Sequence, residues 1–158
     1  MKTFWLAALV AVVQFTLPAA VTAAAPDIAV QSVKGNFQDI KSRVVQAIEE
    51  RGLVINYTAR IGAMLDRTGQ DIGKSKRLYG DAELLEFCSA VVSRGAMEAN
   101  PQYIAYCPYG IAVYTLPGQP GLVFVSYRKL AAYGPGKSQK SLLAVDKLLA
   151  DIVAAALR

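Results

Sequence analysis

Residues 110–128 read GIAVYTLPGQPGLVFVSYR. Two runs rich in β-branched and aromatic residues flank a stretch punctuated by Pro and Gly, which is the pattern of a β-hairpin. The connection LPGQPG is longer than a two-residue turn, so it holds the register less firmly than an Asn-Gly turn would. Just upstream, YIAY at 103–106 is expected to be a further strand. AELLEFC at 82–88 is a short apolar run that fits a strand or a helix by period. We assign it as a strand, because SAVVSRGAMEA at 89–99 has helical character of its own, with Ser89 as its cap and Asn100-Pro101 as its stop. Downstream, YGPGKSQK at 133–140 reads as a connector whose Ser138 caps the closing helix. There SLLAVDKLLADIVAAAL places Leu142, Val145, Leu148, Leu149, Ile152 and Val153 on one side.

On the amino-terminal side, DIAVQSV at 27–33 alternates weakly and is expected to be the first strand. GNFQDIKSRVVQAIEERG at 35–52 is a clear amphipathic helix, with Phe37, Ile40, Val44, Val45 and Ile48 at helical spacing. Asn36 can cap it, Asp39 suits its first turn, and Gly52 can end it in the left-handed conformation. LVINY follows as a returning strand, and IGAMLDRTG as a short helix or turn-rich insertion. The order of elements predicts an α+β two-layer sandwich, an antiparallel or mixed sheet with helices on one face.

The first residues have a separate reading. Lys2, the apolar run FWLAALVAVV and the small residues of LPAAVTAAAPD match a secretory signal peptide. The run is shorter than the roughly 20 residues of a membrane span. Val21 and Ala23 suit cleavage after Ala23, so residues 1–23 are expected to be the signal and 24–158 a single mature domain in the periplasm or secreted. No cysteine follows the apolar run, which argues against a lipoprotein anchor. The chain has 17 basic and 12 acidic residues. They are dispersed apart from KSKR at 74–77, and a nucleic-acid footprint would need a clustered stripe.

GLVINYTARIGAMLDRTGQDIG, LYGDAELLEFCSA and YIAYCPYGIAVY…VFVSYRK resemble, in order and spacing, the domain of unknown function 302 family, over about residues 34–130. The blocks MLDRTG, EFCSA and CPYGIAVY are its most specific pieces. The resemblance implies a small two-layer fold with a β-α-β core, near the TATA-binding-protein-like folds and frequently a homodimer. It implies no assigned activity. Relatives often carry a histidine near the segment matching 56–60. This chain reads NYTAR there and has no histidine at all, so no histidine-based role carries over. Cys88 and Cys107 keep the pattern of cysteine-bearing members.

The lack of histidine excludes a Ser-His-Asp or Cys-His unit and an HExxH zinc site. Glu83 and Glu86 would point to opposite faces of a strand, which suits solvated surface better than paired acid-base work. GPGKS at 134–138 lacks the first glycine of a phosphate loop, having Ala131 there. NYT at 56–58 matches a glycosylation triplet but is expected to lie in a buried strand. No catalytic residue, cofactor or metal site emerges.

Cys88 and Cys107 are the only cysteines. If each ends a strand at one edge of the sheet, they come within the roughly 5.5 Å Cα spacing of a disulfide. Alternatively, Cys88 precedes a helix whose first N–H groups would favour a thiolate, and the pair would cycle as a dithiol or bind Cu(I) with Met64 or Met97. Tyr106, Tyr109, Tyr114 and Tyr127, with Tyr103 nearby, are core-edge residues or line a shallow pocket. Arg67 and Arg128 would clamp an anion at its mouth or pair with Asp66 or Glu86. Two functions are therefore open. One is a non-enzymatic binding or accessory module, held by a disulfide, for a small ligand or protein. The other is a thiol-redox or soft-metal protein.

Overall fold

The computed structural model describes residues 27–158, so the expected signal segment lies outside the described residues. Five strands, β1 (Ile28–Lys34), β2 (Ile55–Ala59), β3 (Ala82–Phe87), β4 (Tyr109–Thr115) and β5 (Leu122–Arg128), form one sheet in the order β1-β5-β4-β3-β2. Every neighbouring pair is antiparallel, so the sheet is antiparallel throughout and not mixed. The helices are α1 (Phe37–Glu49), α2 (Ile61–Asp71), α3 (Ala90–Ala99) and α4 (Lys137–Ala156).

The strands alternate as a sheet with one packed face requires. Tyr109, Ile111 and Val113 of β4, Val123 and Val125 of β5, and Leu85 and Phe87 of β3 are buried. Facing them are Leu142, Val145, Leu149, Ile152 and Val153 of α4 and Phe37, Ile40, Val44 and Ile48 of α1, all in the same core. Each such side chain contributes about 1.5–3 kcal/mol when removed from water. α4 touches both α1 and α3. Arg51 ties α1 to α4 by donating to the Asp151 carbonyl at 2.8 Å. Lys41 ties α1 to β3 through Glu83 at 3.0 Å. α2 packs against the start of β3, where a Cβ on Gly62 would lie 3.0 Å from the Ala82 nitrogen.

Local signals act as expected around α1. The Asn36 side chain accepts from the Gln38 N–H at 2.8 Å, and Gly52 turns the chain at φ +70°. Other expectations are corrected. YIAY is not a strand: residues Pro101–Tyr106 form a 3-10 helix. Pro101 fixes φ in the first turn and the Asn100 side chain accepts from the Gln102 N–H, which favours a helical start over strand pairing. Ser138 does not cap α4. Gly136 holds that position at φ +53°, and Ser138 lies in the first turn, its N–H bonded to the Pro135 carbonyl. NYT is not buried either, because β2 is an edge strand with Asn56 and Tyr57 exposed.

Neighbouring leucines of α4 separate burial from propensity. Leu142 is fully buried, whereas Leu143 is 53% exposed. Leu142→Ala is expected to destabilise the fold by about 2–5 kcal/mol and Leu143→Ala by less than about 0.5 kcal/mol, read from denaturant midpoints.

Candidate functional site

The second face of the sheet carries a groove, and cross-strand register shows how it is built. Leu84, Ala112, Ser126 and Val30 form one row across β3, β4, β5 and β1. One step along, Glu86 pairs with Gly110 and Arg128 with Ile28. One step the other way, Ala82 pairs with Tyr114, Tyr114 with Phe124 and Phe124 with Ser32. The two central strands therefore present Gly110, Ala112 and Ser126 as a low floor. Leu84 and Glu86 stand on one side, Ile28 and Val30 on the other. A Cβ on Gly110 would meet Leu84 Cδ1 at 2.8 Å, so glycine there gives that leucine room to lean over the floor.

An aromatic cluster closes one end. Tyr114 stacks on Phe124 with centroids 5.2 Å apart, and Tyr79 meets Tyr114 edge-on at 5.6 Å. Tyr106 and Pro108 wall the other end. A cavity of about 170 Å³ occupies that end and one of about 300 Å³ the aromatic end. Ile28, Ala112 and Ser126 line both, which makes them two parts of one groove. The β4–β5 ladder stops at Ile111–Tyr127, while β3–β4 continues to Phe87–Tyr109 and β1–β5 to Ile28–Arg128. Through the resulting gap the first cavity reaches Leu130 and Leu149. Asp146 of α4 holds that segment by accepting from the Leu130 and Ala131 N–H groups at 2.6 and 3.1 Å.

The cysteines are joined as a disulfide with Cα atoms 6.3 Å apart. Cys88 directly follows β3 as expected, but Cys107 follows the 3-10 helix and precedes β4 instead of ending a strand. Both sulfurs lie next to α3. Ser89 caps that helix by accepting from the Val92 N–H at 3.4 Å. The Ser93 hydroxyl is 3.7 Å from the Cys107 sulfur and donates to the Tyr109 hydroxyl at 3.1 Å. Cys107 lies between Tyr106 and Pro108, so the bond anchors the wall of the groove.

Of the residues expected at a pocket, the structure gathers Tyr106, Tyr109, Tyr127 and Arg128 around the first cavity and puts Tyr114 at the far end. Arg67 stands apart, in a depression beside Tyr57 and Met64. Asp66 is paired with Arg77 at 2.9 Å. Among the described residues neither Arg128 nor Glu86 is in an ion pair. Glu86, read from the sequence as solvated surface, lines the cavity opposite Arg128. The small residues of the floor were also missed, though their signal was present: the positions between the apolar ones in β4 and β5 are Gly110, Ala112 and Ser126. Burial pushes the Tyr109, Tyr114 and Tyr127 hydroxyls above the usual tyrosine range, so they stay neutral. Among the described residues no three His, Cys, Asp or Glu side chains come together as a metal cage would need. No helix among them is long and apolar enough to cross a membrane.

The model of the family described as "Domain of unknown function DUF302" matches residues 28–156. The chain belongs to the DUF302 family. Its match reaches beyond the central blocks to include β1 and α4. No curated protein matches. Among solved structures, the chain is similar to an uncharacterized conserved DUF302 protein from Bacillus stearothermophilus. That match has a TM-score of 0.68 at 14% identity and covers 85% of this chain and 100% of that one. At that identity the likeness shows the shared fold.

Replacing either cysteine by serine is expected to lower stability by about 3 kcal/mol through loss of loop closure, and the double variant no further. Denaturant unfolding without reductant checks this, and reductant should move only the wild type.

Proposed function

We propose that this DUF302 protein is an exported, non-enzymatic binding module whose open sheet face takes a small, largely apolar ligand. In this reading the Cys88–Cys107 bond is a structural staple that holds the end of the binding groove. The observation that carries it is the continuous groove itself, low-floored on its central strands, closed by an aromatic cluster and bordered by two charges without ion-pair partners among the described residues. Concave, mostly apolar surfaces with a few convergent polar groups are the usual form of small-ligand sites. A thiol-redox role for the same cysteines draws support from Ser93, whose hydroxyl is placed to stabilise a Cys107 thiolate once the bond opens.

Anilinonaphthalene sulfonate, an apolar dye with one anionic group, is the probe for the groove. It should gain fluorescence with wild-type protein and bind at least about tenfold more weakly to Ala112→Trp, whose side chain fills the floor. Because residue 112 lies on the unpacked face, the unfolding midpoint should stay unchanged. Equal binding to both proteins would overturn the groove reading.

Export and the staple are read together. Protein recovered from the periplasm without reductant should have the mass of a chain beginning at Ala24 and take up no thiol-alkylating reagent. A chain that retains residues 1–23 would sink export, and alkylated cysteines would favour redox cycling.

A further inference from the structure

We infer that the groove is built for a zwitterion of the α-amino acid class with an aromatic or large apolar side chain, its ammonium held by Glu86 and its carboxylate by Arg128. This rests on the groove being a ligand site and names what it takes. Glu86 and Arg128 line the same cavity on the same face. Gly110 pairs with Glu86 and, one step beyond the last β4–β5 pair, comes opposite Arg128, so the position between the two charged residues carries no side chain of its own and Leu84 borders it. Two strand spacings, about 9.6 Å, separate their Cα atoms, so both side chains can reach one small ligand set between them.

Charge complementarity excludes the simpler ligands. A lone anion at Arg128 would face the Glu86 carboxylate, and a lone cation at Glu86 would face the guanidinium; a zwitterion satisfies both. From this charged row the floor runs about 13 Å along the strands, over Ala112 and Ser126, to the stacked rings of Tyr114 and Phe124. A ligand ring held by this charged row lies over Ala112 and Ser126, whose small side chains leave room for it.

The test uses calorimetric titration of the mature oxidised protein with L-phenylalanine, phenylpropionate and phenethylamine. L-Phenylalanine should bind about tenfold or more tightly than either single-charge analogue, because each analogue leaves one charge of the site unpaired. Glu86→Gln should reduce L-phenylalanine to the level of phenylpropionate while leaving phenylpropionate no weaker. Phenylpropionate binding as tightly as L-phenylalanine to the wild type, or Glu86→Gln weakening both alike, would overturn the inference. No titration signal with any of the three, with the dye still binding wild type more tightly than Ala112→Trp, would overturn it while leaving the groove a ligand site. Loss of the dye signal as well would remove both readings. A dimer in sedimentation that Ala112→Trp dissociates would make a second copy the occupant and likewise overturn it.

Discussion

The packing of α4 against the inner face of the sheet is the contact on which the rest of the structure depends. Its stripe from Leu142 to Val153 covers Leu85, Ile111, Val113, Val123 and Val125, and α1 and α3 pack around it. Because strand side chains alternate, burying one set commits the other set to the opposite face. The covered face takes the large aliphatic residues. The second face is left with Gly110, Ala112 and Ser126 at its centre and taller side chains at its margins. The groove is thus a consequence of which face the helices cover.

The disulfide acts at the junction of these two faces. Cys88 leaves β3 and Cys107 leads into β4, so the bond closes the end of one ladder around α3. On the inner side, Ser93 and Tyr109 continue the contact by hydrogen bonding under the helix. On the outer side, the neighbours of Cys107 form the wall of the first cavity. One covalent link therefore supports the core and the shape of the site together. The fold of the Bacillus stearothermophilus protein is similar at 14% identity, which shows how little of the sequence the architecture itself demands.

Much of the fold was legible because its signals are local. The apolar period of 35–52, with Asn36 and Gly52 at its ends, marked α1, and Ser89 marked the start of α3. YIAY failed because four residues carry no period that separates a strand from a turn, and Pro101 with the Asn100 cap decided it locally for the 3-10 helix. Ser138 looked like a cap by residue type, but Gly136 takes the cap at a positive φ and the helix starts at Lys137, two residues earlier than a Ser138 cap would set it. Of the site, the tyrosines and Arg128 stood out by chemistry. Glu86 did not, because its place in the cavity is set by Arg128's position, two strands away and 42 positions further along the chain.

By itself the sequence determined the class of the domain, its main helices, its central hairpin, the family blocks and the lack of histidine chemistry. Each of these is written in residue type, or in a period a few residues long. Tertiary structure alone decided the strand order β1-β5-β4-β3-β2, the meeting of the cysteines and the row that sets Glu86 against Arg128 across Gly110. Those facts depend on register between segments far apart in the chain. That register comes from the combined burial of both layers and not from any one segment.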